Sequence, residues 1–508
     1  MIQGKSIIIN TIALYVKIII SGLVTFLSTR VALDLLGVND FGLYNLVAGI
    51  IAMLSFLNGS LLVSTQRFLS VAIGKGDNNR FLSRIFNSSL FIHLCLMLLL
   101  LIFLLLFKIF LFSSFLNIDL ASINVAKQVY NIMIFSSLFT ILTIPYNAVI
   151  NAHEEMWMFA IIESFVAILK LLAAYSLYIT PYDLLLTYSI LMSFAIFVGG
   201  ACKYLWCRWR YVETRLWISG MFDFTLIKKQ ISFVGWNTFG SLAMLGRNQG
   251  IAIVLNVFWG TLLNAAYGVA NQLNVLVSTF ASTITTVFNP IIMKYKGQED
   301  NDTMLYMASL SSKVSFLVSS VMALPLLLEL DNILSLWLTQ IPEYTLPICR
   351  GTILTFVVMQ LYPGITRAIY AEGDIKWYQI ITSCTILLTL PVGYILFKIG
   401  YAPPIIVYAM VVAQFLVFLE TLYFAYRVLK FKWQEFVMVV TKSLFCFCFV
   451  YILSYVMKQG LHLNLYMEIF VISSFSIFFF FILFFLFVFS TSERKNIFKL
   501  LFNLVKLY

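Results

Sequence analysis

The chain has 508 residues, of which 61% are hydrophobic and only 11% charged, with a net charge of +11. A water-soluble fold of this size needs roughly a quarter of its residues charged, so the composition excludes a soluble protein and requires that most of the surface face lipid. The basic balance is no nucleic-acid footprint, because Lys and Arg fall in short clusters between apolar stretches instead of on one face or domain.

A helix needs about 20 mostly apolar residues to cross the ~30 Å hydrocarbon core. On that ruler the chain predicts 14 spans, at 7–33, 43–63, 85–112, 128–150, 156–179, 183–205, 230–257, 265–291, 304–328, 347–367, 376–398, 404–427, 436–457 and 466–490. The expected fold class is all-α integral membrane. A β-barrel is excluded, since its strands alternate apolar and polar residues and these segments are solidly apolar. The first span is too long for a signal-peptide core, and no small-residue cleavage site follows it. Pro145, Pro325, Pro363 and Pro391 lie inside spans, either as bending points or as ordinary packing kinks.

About 22 Lys and Arg fall in loops on the N-terminal side and about four (Lys108, Lys127, Lys398, Lys458) opposite, so the positive-inside rule places both termini in the cytoplasm. The most basic loop follows the sixth span. This predicts a six-helix bundle over 1–205, a basic cytoplasmic linker over 206–229, a second six-helix bundle over 230–427, and two further helices within 428–490. The Phe-rich last span reads as lipid-facing on all sides, and the tail 491–508 as a helix lying among headgroups.

The two bundles read as copies. A shift of 223 residues sets LGVNDFGLYNLV (36–47) over WGTLLNAAYGVA (259–270) and pairs Gly37 with Gly260, Tyr44 with Tyr267, and Asp77 with Asp300; a shift of 219 sets AHEEMWMFAII (152–162) over AEGDIKWYQII (371–381). Six spans per copy is an even number, so the repeats are expected to be parallel, as in transporters that open a central site to alternate sides.

Ionisable groups within spans are functional hypotheses by default. Lys17, Lys170, Arg247 and Lys313 lie well inside, Arg30, Arg350 and Lys442 nearer the ends, with only Glu163 and Glu420 as acids. This positive excess points to an anionic substrate. On the first span, Asn10, Lys17, Ser21 and Ser28 fall within roughly 40° of one another at 100° per residue, a polar stripe expected to line a cavity. The seventh span would turn Asn237, Ser241, Arg247 and Asn248 inward, so that Lys17 and Arg247 face each other across a central cleft. Arg30 reads as a snorkelling side chain. Glu163 and Lys170, two turns apart, are either a stretched pair or a proton-linked switch, and Lys313 is either a cavity ligand or a snorkelling side chain.

Enzymatic chemistry finds no support. There is no Walker A sequence, His93, His153 and His462 are isolated, and the seven cysteines form no CxxC pair. No loop exceeds roughly 25 residues, too small for a soluble catalytic domain. The expectation is a non-enzyme without cofactor or metal, with Na⁺ or H⁺ coupling left open.

Three passages carry a family resemblance: LGVNDFGLYNLVAGIIAMLSFLNGSLLVSTQRFLSVAIGKGD (36–77), ILSLWLTQIPEYTLPICR (333–350) and AEGDIKWY (371–378). They resemble the polysaccharide flippases, exporters of O-antigen and capsule repeat units within the superfamily that also holds multidrug-and-toxin extrusion (MATE) transporters and the peptidoglycan-precursor flippase. The resemblance implies a MATE-like pair of bundles in the bacterial cytoplasmic membrane. Its implied substrate is an undecaprenyl-pyrophosphate-linked oligosaccharide, bound through Lys17 and Arg247 with help from Lys313, with membrane lipids, a polysaccharide polymerase and chain-length machinery as partners. The peptidoglycan-precursor flippases have 14 spans, whereas many repeat-unit flippases are drawn with 12. A cation-coupled multidrug exporter is the alternative, and a membrane polymerase or ligase of the same pathway a third.

Overall fold

A computed structural model describes residues 2–52, 55–112, 123–215, 223–338, 340–461 and 463–495. Among the described residues the chain is helical, without strands. The first helices are α1 (Ile2–Ala52), α2 (Ser55–Lys75), α3 (Asn79–Phe110), α4 (Ile123–Ala152), α5 (Met156–Ser176), α6 (Leu184–Arg210), α7 (Phe224–Trp259) and α8 (Thr261–Gly297). Then come α9 (Asn301–Leu328), α10 (Leu330–Trp337), α11 (Thr345–Met359), α12 (Pro363–Glu372), α13 (Lys376–Leu387), α14 (Thr389–Ile399), α15 (Ile405–Leu429), α16 (Trp433–Gly460) and α17 (Leu465–Phe487). The protein is a multi-pass membrane protein.

Each of the 14 expected spans lies on a helix or a bent helix pair, but they do not all qualify as spans on the same terms. Among the described residues eleven helices are long and apolar enough to cross a membrane, or thirteen if the pairs Asn39–Ile51 with Phe56–Lys75 and Thr345–Met359 with Pro363–Glu372 each count once. The expected span left over is α7, where Asn237, Ser241, Arg247, Asn248 and Gln249 dilute the apolar surface. Pro363 opens α12 directly after a 48° bend, and Pro391 sits in the first turn of α14 just past a break at Leu388; a first helical turn suits a residue that has no N–H to donate. Pro145 and Pro325, by contrast, lie within continuous α4 and α9.

The chain divides into two compact units: Ser6–Thr238 with Gly297–Glu299, and Phe239–Lys296 with Asp300–Tyr508 and the first five residues. The division falls inside α7. Its first turns belong with the first unit, where Gln230 donates from Nε2 to the Ile85 carbonyl at 3.3 Å and Val234 packs on the α1–α4 core around Val47, Ala126 and Tyr130.

The repeat is visible in local backbone geometry. Gly37 and Gly260, paired by the 223-residue shift, both have φ of 71°, a left-handed value that glycine adopts without steric penalty. The Asp77 N–H bonds the Ala72 carbonyl and the Asp300 N–H the Tyr295 carbonyl, each at 3.1 Å. At the 219-residue shift, Glu154 and Gly373 share positive φ (61° and 98°), and their N–H groups bond Asn151 and Tyr370 carbonyls at 3.0 and 3.1 Å.

The second unit corrects the picture of α17. Ile472, Ser476, Phe480 and Phe484 form one buried face. Phe480 and Phe484 pack on Phe316 of α9, with ring centroids 6.5 and 6.1 Å away. A helix apolar all round hides its packed face from any periodicity test.

Candidate functional site

In the first unit the polar stripe of α1 meets the start of α5. Asn10 is 2% exposed and is a structural clamp, not part of a cavity lining. Its Nδ2 donates to the Glu154 carbonyl at 2.6 Å, and its Oδ1 accepts from the Trp157 N–H at 3.0 Å. Residue 155, the N-cap of α5, makes no side-chain cap, so a side chain from another helix satisfies that terminus. Asn10→Ala orphans both backbone groups and should destabilise the solubilised protein by about 1–3 kcal/mol, read as a lower thermal midpoint; an unchanged midpoint would show that the clamp carries no stability. Ser28 is buried and donates to the Thr25 carbonyl at 3.1 Å, while Ser21 is partly exposed and its carbonyl accepts from Thr25 Oγ1 at 2.7 Å. Arg30 is exposed.

Lys17 is half-buried, its Nζ 5.8 Å from the Phe159 ring centroid, and Lys203 Nζ approaches the same ring at 5.2 Å. Lys203 also pairs with Glu163 at 2.5 Å. The direct contact of Glu163 is thus with Lys203 and not with Lys170 on its own helix. Two helical turns separate Glu163 and Lys170 by ~10.5 Å along α5, whereas α6 brings Lys203 alongside. Lys17 and Lys170 stay close enough for their charge to act on Glu163. The result is three lysines around one carboxylate, a net charge of two positive. In the sequence Lys203 stands at the edge of span 6 among loop cations, and only the apolar turn that follows it, Tyr204–Trp206, sets it apart from them.

In the second unit Arg247 is 5% exposed. Its Nε and Nη2 donate to Asn248 Oδ1 at 3.4 and 3.3 Å, and its buried Nη1 has no hydrogen-bond partner among the described residues. No carboxylate pairs with it there. Tyr267 and Tyr362 lie within reach of its charge. Tyr267 belongs to a polar stripe on α8. Asn264, Tyr267, Asn271 and Asn274 recur on α8 at spacings of three and four, one helix face, and the buried Oδ1 atoms of Asn264 and Asn274 have no partner among the described residues. Tyr362 accepts from Gln414, and Glu420 accepts from Thr385 Oγ1 at 2.5 Å while its buried Oε2 has no partner among the described residues. The periodicity test that found the stripe on span 1 would have found the one on span 8. Asn237 is buried and Ser241 half-buried, and both already engage a neighbour. Asn237 belongs to the first unit and Ser241 to the second.

Lys313 departs from expectation most. It is neither an open cavity cation nor a snorkelling chain: its Nζ donates to both Glu493 oxygens at 2.8 and 3.0 Å, with the side chains 9% and 3% exposed. Glu493 stands where the headgroup-lying tail was expected to begin. There Ser490 and Glu493 form a reciprocal capping box, Ser490 N–H to Glu493 Oε2 at 2.7 Å and Glu493 N–H to Ser490 Oγ at 3.2 Å. The rest of the tail, 496–508, lies outside the described residues. Arg350 likewise pairs with Asp331 at 3.0 Å. Two of the cations that made the interior so positive are therefore neutralised by acids outside the predicted spans. Among the described residues no group of His, Cys, Asp and Glu could hold a metal ion.

No protein-family model matches the chain, and no curated protein matches it. Solved structures do. The chain is similar to MATE in complex with MaD3S, at 14% identity and TM-score 0.71 over 84% of this chain and 97% of that one. An outward-facing multidrug resistance MATE transporter of the MOP superfamily matches at 13% identity and TM-score 0.70 over the same shares. A MOP superfamily transporter from Pyrococcus furiosus, for which reversed polarity of the binding pocket suggests a different function, matches at 13% identity and TM-score 0.69 over 85% and 97%. The fold is MATE-like.

Proposed function

We propose that the chain is an alternating-access exporter whose passenger is negatively charged. The finer reading, which the motifs at 36–77, 333–350 and 371–378 support, is a flippase that moves undecaprenyl-pyrophosphate-linked oligosaccharide across a bacterial cytoplasmic membrane and delivers it to surface-polysaccharide polymerase and chain-length machinery. On this reading both termini are cytoplasmic, and Arg247 binds the diphosphate. The observation that carries the proposal is Arg247: a buried guanidinium with no carboxylate and an unpartnered Nη1 among the described residues. A charge so placed needs water or an anionic ligand, and the guanidinium fork matches phosphate geometry. The lysine cluster at Glu163 adds a second net-positive site. Lys313 drops out of the binding set, since Glu493 already takes its charge.

A cation-coupled multidrug exporter is the second reading, and the fold likeness by itself favours it, since the similar structures include several MATE transporters. It would rest on Glu420, whose unpartnered Oε2 offers a carboxylate to a cation. Likeness to transporters over most of the chain supports both over a polymerase or ligase. Proteoliposomes separate the two. Fluorescent lipid-linked sugar diphosphate should cross without bond cleavage, and Glu420→Gln should leave that movement intact. Efflux of cationic dyes that Glu420→Gln abolishes, with no movement of the lipid-linked sugar, would reject the anionic passenger.

A further inference from the structure

Between α15 and α16 the second unit opens an apolar groove of about 480 Å³. It is lined by Leu419, Tyr423 and Tyr426 on one helix and Trp433, Val437 and Thr441 on the other. These positions recur every three or four residues, so each helix gives one face to the slot. From Phe415 to Tyr426, and from Trp433 to Leu444, the lining runs twelve residues, eleven steps of 1.5 Å, or ~17 Å of helix. That is about half the ~30 Å hydrocarbon core, the depth of one leaflet.

The end of the groove at the α15–α16 turn is basic. Arg427, Lys430 and Lys432 are all exposed there, and none makes an ion pair among the described residues; Glu435 is the one acid beside them, which leaves the turn two charges positive. The turn itself is anchored. Phe431 is buried, its ring 5.6 Å from Phe436, and its N–H bonds the Ala425 carbonyl at 3.3 Å. Lys430 and Lys432 flank it and point outward. Arg427 Nη1 donates to the hydroxyl of Tyr423, a groove-lining residue, at 3.4 Å. Tyr426 and Trp433 stand at the same level, where amphipathic rings favour the headgroup region.

We propose that this groove is a binding site for one anionic phospholipid of the adjoining leaflet, with an acyl chain in the slot and its phosphate on Arg427, Lys430 and Lys432. The slot supplies hydrophobic contact, and the turn supplies the juxtamembrane positive charge that an anionic lipid surface attracts. The one-leaflet depth selects a phospholipid chain over a much longer polyisoprenoid. Such a lipid would fill the gap between the last helix of the repeat and the added α16–α17 pair. The proposal stands whatever the passenger of the central pathway.

Native mass spectrometry of the full-length protein in mild detergent tests it, with phosphatidylglycerol, phosphatidylcholine and a polyprenyl phosphate offered in parallel. The wild type should keep phosphatidylglycerol with about tenfold preference over phosphatidylcholine, equal to ~1.4 kcal/mol. The triple variant Arg427→Gln, Lys430→Gln, Lys432→Gln, confined to exposed positions, should retain one phosphatidylglycerol fewer per chain. Val437→Trp, which fills the slot and leaves the charges in place, should lose the same lipid. Equal retention of the two phospholipids, a preference for polyprenyl phosphate, or unchanged binding in the triple variant would each overturn the proposal.

Discussion

Arg247→Gln is expected to lower transport of an anionic passenger by about tenfold to a hundredfold, the worth of one charge-assisted hydrogen bond of roughly 1.5–3 kcal/mol, while leaving the protein at least as stable as the parent. The two outcomes together separate a binding role from a structural one. A buried arginine that holds a fold together is paired, and its loss strands a carboxylate at a cost of about 3–5 kcal/mol. Arg247 strands none: its donors reach only Asn248, and one nitrogen has no partner among the described residues. Removing the charge therefore relieves desolvation in the empty site and removes attraction in the loaded one, the usual trade between stability and function. Arg247→Lys should recover part of the transport, since a lysine keeps the charge and loses the fork. The check is flipping of a fluorescent lipid-linked sugar diphosphate in proteoliposomes, beside thermal unfolding with and without that ligand. The ligand should raise the unfolding midpoint of the wild type and leave that of Arg247→Gln unmoved. A variant that transports normally, or one that merely unfolds early, would remove Arg247 from the site.

The second large effect is structural. Lys313→Ala should destabilise the second unit by about 3–5 kcal/mol, because it leaves the Glu493 carboxylate buried without its partner. Glu493→Ala should do the same from the other side. The double replacement Lys313→Met, Glu493→Leu should regain most of the loss, since neither charge is then left alone. Detergent-melt midpoints of the wild type, the two alanine variants and their combination give the coupling as a double-mutant cycle, with the Met/Leu pair as the packed control. The same pair makes a connection along the chain. Glu493 follows α17, and at the opposite end of that helix Glu468 shares Lys458 with Glu329, which caps α9, at 3.3 and 3.1 Å. Both ends of α17 are thus tied to α9 by charge, and its middle by Phe480 and Phe484 against Phe316. If the three single and double variants melt alike, the C-terminal pair is an ornament on the bundle and this view of it fails.

Much of this was legible in the residues. Apolar runs of about 20 residues with few charges can only be membrane helices, so every expected span found a helix. The repeat was legible in part too: the 223-residue shift pairs Gly37 with Gly260, and both take φ of 71°, a value glycine adopts without penalty. The stripe holding Lys17 and the isolated position of Arg247 could be read from helical spacing, which says what shares a face on one helix.

Spacing says nothing about which helix comes alongside, and there the reading stopped. Glu163 was matched to Lys170 on its own helix, but a salt bridge is decided at 4 Å, and α6 supplied Lys203. Asn10 looked like a cavity residue until the α4–α5 turn took both ends of its amide. Lys313 looked like a free cation until a carboxylate 180 residues away closed on it. The face of α17 that packs was invisible in a run of phenylalanines. What the sequence determined by itself is the local and one-dimensional part, apolar length, charge asymmetry and permitted backbone angles, because each depends on a residue and its near neighbours. Which cations keep their charge for a passenger and which are spent on a carboxylate was decided only by the tertiary structure, since pairing falls off within a few ångströms and those contacts join residues far apart along the chain.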